Sequence, residues 1–253
     1  MSLYTLPNRR RIYLLRHGEA AYIEQDGSVT NDERAVRLTE NGRIQARKQA
    51  AVLASVNFDR AICSGLPRTE ETAQYILASR ELPQLEVVAE LEEIRIGGPD
   101  HDSGERGKWL AHVANPWSGA HEPDARFLGG EKFSDFADRV TPAFDAIVAD
   151  ASWRTLLLVL HGAVNRMIFN HILGLQWQGG VSIEQDNCCI NIIDVDTCED
   201  ETPYRYLTRA VNLTGYDMHT IQITNYLATG KGTPAYRQSF TDRPSHRQCF
   251  QNC

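Results

Sequence analysis

Arg16-His17-Gly18-Glu19 follows directly on the apolar run Ile12-Tyr13-Leu14-Leu15. A histidine offers a nitrogen nucleophile toward phosphorus, and an adjacent guanidinium can hold phosphate oxygens two at a time. Two other segments repeat the arrangement. Cys63-Ser64-Gly65-Leu66-Pro67-Arg68 puts an arginine at the start of a helix, and His161-Gly162 follows the apolar stretch 156–160. Each lies where a strand gives way to a loop or helix. Parallel neighbouring strands would gather two arginines, two histidines and a helix N-terminus around one volume, which is an anion site. Glu92-Glu93 follows a third strand and supplies a carboxylate to protonate a leaving alkoxide. Nucleophile, cationic cradle and acid together read as phosphoryl chemistry. One strand-end histidine would be unremarkable; two, each followed by glycine and accompanied by arginines, are not.

The elements that must position these groups are legible from periodicity. Strands are expected over 12–15, 60–63, 85–89, 156–160, 189–195 and 204–207. Helices are expected from Leu38-Thr39 to about Val56, with Thr39 as N-cap, and from Pro67 through Ile76. A third, marked by Phe133, Phe136, Val140, Phe144 and Ile147, contains Pro142, where a kink or break is expected. A fourth runs from His161-Gly162 to near Gly174. Alternating strands and helices predict an α/β fold of three layers, α/β/α, with a mostly parallel central sheet. Ligands in such sheets sit at the carboxyl ends of strands.

The 253 residues suffice for one sizeable core, so 1–253 is read as a single domain. Residues 95–132, rich in Gly, Asp, His and Pro, read as a lid or substrate-binding insertion. There His101, Arg106, Lys108, Trp109 and His112 are the side chains available for specificity. The tail 231–253 is polar and patternless, and reads as mobile or as docking on a partner subunit in a homodimer. A net charge of −7 with no basic stripe argues against nucleic acid as a partner. No apolar stretch is long enough to cross a membrane, and the N-terminus shows no secretory signal, so a cytoplasmic protein is expected. Six cysteines (Cys63, Cys188, Cys189, Cys198, Cys249 and Cys253) show no CxxC pairing and read as reduced thiols. His246 with Cys249 and Cys253 lacks the periodic frame a metal site needs. Cys63 and Arg68 are separated by four residues, one short of the loop a cysteine phosphatase uses.

In order along the chain come Arg16-His17-Gly18-Glu19, Leu38-Thr39-x-x-Gly42-x-x-Gln45-Ala46, Ser64-x-x-x-Arg68-x-x-x-Thr72-Ala73, Leu91-x-Glu93-Ile94, Gly129-Gly130-Glu131 and Leu160-His161-Gly162. With Asn187-Cys188-Cys189-Ile190, they make the chain resemble the histidine phosphatase (phosphoglycerate mutase-like) superfamily over most of residues 11–193. That resemblance implies a phosphatase of the histidine acid phosphatase type, working on a phosphorylated metabolite or phosphoprotein with neither cofactor nor metal. It implies His17 as the nucleophile and Arg16, Arg68 and His161 as the groups holding the phosphoryl oxygens. Glu93, rather than Glu92, would be the general acid and base, with Gly18, Glu19 and Gly162 contacting substrate. Relatives often carry asparagine where this chain has Ile23, and the mutases' Trp-containing segment is absent, replaced by residues 25–30. The departures favour hydrolysis; mutase-type transfer and a non-catalytic phospho-ligand binder are the alternatives.

Overall fold

The computed structural model describes residues 9–22, 30, 32–78, 80, 83–97, 116–117, 119–122, 124–175, 182–198 and 201–215. Six strands form one sheet: β1 (Arg10–Arg16), β2 (Arg60–Cys63), β3 (Leu85–Val87), β4 (Thr155–Leu160), β5 (Ile190–Cys198) and β6 (Glu201–Leu213). Their order is β3-β2-β4-β1-β5-β6. The pairs β3/β2, β2/β4 and β4/β1 are parallel, whereas β5 and β6 add an antiparallel edge.

The helices α1 (Glu40–Val52), α2 (Pro67–Leu77), α3 (Phe133–Ala149) and α4 (Gly162–Ile172) cover both faces. Side chains of a strand alternate between faces. Leu156, Leu158 and Leu160 of β4 therefore join Ile12 and Leu14 of β1 in the core under α3 and α4. Leu157 and Val159 join Leu15 and Ala61 under α1 and α2. This two-sided demand explains why β4 is apolar without interruption.

The register fixes where the chemistry falls. Arg16 pairs with Leu160, and Cys63 pairs with Val159, so β1, β4 and β2 end level with one another. The chain leaves β1 toward α1 on one face and leaves β4 toward α4 on the other. The crevice between those strand ends is a topological switch point, where open α/β sheets take ligands.

The details that differ from sequence expectation have physical causes. Helix α1 stops at Val52 rather than Val56; Arg80 donates to Leu53 O at 2.6 Å and also to Val56 O, capping the carbonyls released. Strand β3 ends at Val87 because Ala89–Leu91 tightens into a 3-10 turn that buries Leu91. Pro142 does not break α3, which runs unbroken over 17 residues. Phe136 and Val140 before it and Phe144 and Ile147 after it are all buried, and that packing outweighs one lost backbone bond. Strand β6 is three times the length expected, since its polar, solvent-facing residues dilute the apolar signal.

Part of the 95–132 segment is core rather than lid. Ala120, Phe127 and Leu128 are buried, and Trp117 packs on Phe127 and Phe133 with ring centroids 5.6 and 5.4 Å apart. Residues 98–115, which include His101, Arg106, Lys108, Trp109 and His112, lie outside the described residues, as do Ile23, His246, Cys249, Cys253 and the tail.

Candidate active site

His17 leaves the end of β1 with its backbone fixed on both sides: its N–H donates to Leu160 O at 2.9 Å, and its carbonyl accepts from Cys188 N at 3.0 Å. The ring Nδ1 lies 2.7 Å from Gly18 O. A carbonyl can only accept, so Nδ1 carries the proton and Nε2 of the neutral ring carries the lone pair. That Nε2 is buried and has no protein partner. His161, at the end of β4, stands beside it with ring centroids 5.2 Å apart at 67°. Ser64 Oγ, 2.8 Å from His161 Nε2, anchors that ring, and Nδ1 is left unpartnered.

The loop around Gly18 explains the spacing of the second motif. A Cβ on Gly18 would fall 2.6 Å from Gly42 O, and one on Gly42 would fall 2.0 Å from Glu19 O, so only two glycines permit the approach. Thr39 caps α1 through Gly42 N and donates to Glu19 Oε1 at 2.6 Å, while Gln45 Oε1 accepts from Glu19 N. Glu19 was expected to contact substrate. Its carboxylate is instead engaged by Thr39 and by Asn41 Nδ2 at 2.9 Å, and it ties the histidine loop to α1. Thr72 Oγ1 accepts from Gly18 N and completes the cradle.

The two arginines arrive from different elements. Arg16 NH1 donates to Gln185 O at 2.5 Å, and Gln185 is locked in a buried amide network with Asn165 and Asn191. Gly162 packs against the same guanidinium; a Cβ there would lie 3.5 Å from Arg16 Nε. Arg68, in the first turn of α2, donates through NH1 to Glu33 O at 2.9 Å, and its buried Nε has no partner. Gly65, at φ +86°, makes the left-handed turn that feeds this helix.

Glu93 reaches the same corner. Its carboxylate accepts from Ala163 N at 3.3 Å, placing it at the N-terminus of α4, two residues past His161. Arg139 of α3 holds its segment by donating to Glu90 O, Glu92 O and Glu93 O, while pairing bidentately with Glu131. Glu92 points elsewhere, into a two-pronged pair with exposed Arg34. Thus His17, Arg16, Arg68, Glu93, His161, Gly18 and Gly162 are brought together and Glu19 is not. Cys63 is buried, and burial pushes its thiol up, the opposite of an activated thiolate.

The sequence alone points to no role for Ser64, Thr72 or Arg139, nor for Tyr22 and Glu33, which line a pocket beside Arg68 and Glu93. Ser64 was within reach, since it occupies the strand-end position that His17 and His161 occupy on their own strands. Arg139 acts across 46 residues on Glu93, and no local pattern announces that.

Burial first, then the charge of Arg68, then that of Arg16, holds the His17 imidazole well below its usual 6.5. His161 is lowered by burial, by Arg68 and by its neighbours His17 and Arg16. Both rings are neutral at pH 7, the form with a lone pair to offer. The unfolded rings take up protons below about pH 6.5 while the folded ones do not, so stability falls as pH drops through that value. The slope is at most about 1.4 kcal/mol per pH unit for each ring. Urea midpoints are expected to fall between pH 7.5 and 5.5, and to fall less steeply in His17→Asn; identical slopes would remove His17 from the coupling.

The fold and the gathered side chains define an α/β protein with two histidines, two arginines and a glutamate at the carboxyl edge of its central strands. Residues 12–203 match the histidine phosphatase superfamily (branch 1), and the chain belongs to that family. It is 26% identical over 195 residues to the adenosylcobalamin/alpha-ribazole phosphatase of Escherichia coli (strain K12), covering 74% of this chain and 90% of that one. It is 28% identical over 195 residues to GpmB of Salmonella paratyphi A, a relative named for phosphoglycerate mutase, covering 73% of this chain and 84% of that one. The structure of mycobacterial glucosyl-3-phosphoglycerate phosphatase shares the fold, with a TM-score of 0.64 at 24% identity over 81% of this chain and 100% of the other. No helix among the described residues is long and apolar enough to cross a membrane.

Proposed function

We propose that the protein is a phosphomonoesterase that hydrolyses a small phosphorylated metabolite or phosphoprotein through a phosphohistidine on His17. The observation that carries this reading is the buried, unpartnered Nε2 of His17, fixed as the lone-pair nitrogen by the Nδ1 contact to Gly18 O. It agrees with the phosphatase activity named for the Escherichia coli relative.

In the first step Nε2 attacks phosphorus in line with the ester bond. The P–O bond breaks, and Glu93 in its acid form gives its proton to the departing oxygen. Arg16, Arg68 and His161 surround the charge on the phosphoryl oxygens, which is most of the catalysis such a transfer needs. In the second step the Glu93 carboxylate takes a proton from water, the resulting nucleophile attacks phosphorus, and the N–P bond breaks. His17 returns neutral, with inorganic phosphate released.

The test is a comparison of leaving groups. Glu93→Gln is expected to slow an alkyl phosphate by roughly 100-fold or more, and p-nitrophenyl phosphate far less at its first step, because a phenolate departs without a proton. Phosphoenzyme formation measured in a single turnover separates the two steps. Equal losses on both esters in that step would remove Glu93 from the acid role.

A further inference from the structure

Beside Arg68 and Glu93 a narrow pocket opens whose walls include Tyr22, Leu66, Ile96, Glu33, Arg34 and Arg95. If phosphate is held by Arg68 and the ester oxygen faces Glu93, the alcohol part of the substrate leads out through the mouth of this pocket, past Glu33. Glu33 is rigidly referenced to that geometry, because its own carbonyl is the acceptor for Arg68 NH1 at 2.9 Å. Its carboxylate is lightly used. Oε1 accepts one long contact from Ile96 N at 3.4 Å, and neither oxygen forms an ion pair among the described residues. Arg34, the adjacent cation, is bound in the two-pronged pair with Glu92. Arg95 is exposed, where solvent screens its charge.

We propose that Glu33 sets the class of leaving group: its carboxylate accepts hydrogen bonds from a polyhydroxylated alcohol and turns away one that carries a second acid group. This rests on the phosphatase reading above. A carboxylate is an acceptor only, with about four lone-pair sites, and sugar hydroxyls are the donors that fill them. A second carboxylate or phosphate in the same half-buried pocket meets like charge at reduced dielectric. Burial already raises the pKa of Glu33, the direction in which added negative charge would push it further. Leu66 and Ile96 supply apolar wall, and the Tyr22 ring, with the Arg68 guanidinium 5.6 Å from its centroid, supplies a face for the C–H side of a sugar.

Binding is measured by calorimetry in the non-turning-over His17→Ala protein, with His17→Asn as a second background should the first fold poorly. The probes are ribose 5-phosphate and 3-phosphoglycerate. Ribose 5-phosphate is expected to bind about tenfold or more tightly than 3-phosphoglycerate, with Glu33→Gln narrowing that ratio to about threefold or less, mainly by strengthening 3-phosphoglycerate binding. Equal or tighter binding of 3-phosphoglycerate, or a ratio unmoved by Glu33→Gln, would each overturn the assignment. Failure of the phosphatase reading shows separately, as wild-type protein that releases no phosphate from p-nitrophenyl phosphate while the binding ratios still report on Glu33.

Discussion

His17→Ala is expected to lower kcat for p-nitrophenyl phosphate by roughly a thousandfold or more, while the chain stays folded. The loss is large because, in the proposed mechanism, Nε2 of His17 is the atom that bonds the phosphoryl group, and water attacking directly would lack that aligned nucleophile. The fold should survive because the structural work at this position is done by the main chain. The bonds from His17 N to Leu160 O and from Cys188 N to His17 O persist in alanine. Steady-state rates, with circular dichroism melts as the control, give the answer. Activity within tenfold of wild type in a folded variant would end the nucleophile assignment.

Arg68→Ala is expected to cost roughly 100- to 10,000-fold in kcat/KM, split between weaker substrate binding and a slower step. In the proposed mechanism the guanidinium supplies charge where the phosphoryl oxygens gather, and its NH1 bond to Glu33 O tethers the pocket wall. Lysine is expected to restore only part of the loss, since a point charge cannot replace the fork. The substitution carries a second signature. Arg68 is one of the charges that hold His17 and His161 low, so its removal should raise both rings. The acid limb of the pH–rate profile should then move to higher pH. A profile that stays in place, or moves down, would mean that the Arg68 charge does not reach the histidines.

Much of this architecture is written locally. The fully apolar β4 and the strand–loop junctions at Arg16, Ser64 and His161 announce themselves by burial and turn chemistry, and the parallel register that aligns them follows from the fold class. The Thr39-x-x-Gly42 spacing is equally local, because it encodes a cap and a contact tight enough to require glycine. What sequence hides is decided at long range. Glu19 sits beside the histidine and reads as a ligand contact; only the approach of Thr39 and Asn41 shows that its carboxylate is already engaged. Arg139 looks like an exposed helix residue until α3 packs under the Glu93 segment. Pro142 reads as a breaker because local propensity says so, and the buried phenylalanines around it overrule that preference.

A covalent bond between phosphorus and Nε2 of His17 is what separates the proposed mechanism from direct attack by water. Rapid-quench labelling with a phosphate-labelled monoester, followed by peptide mapping, tests it most directly. A transient, acid-labile and alkali-stable label is expected on the peptide carrying His17, absent from His17→Ala. Turnover with no label at any time point, or an acid-stable label on another residue, would contradict it.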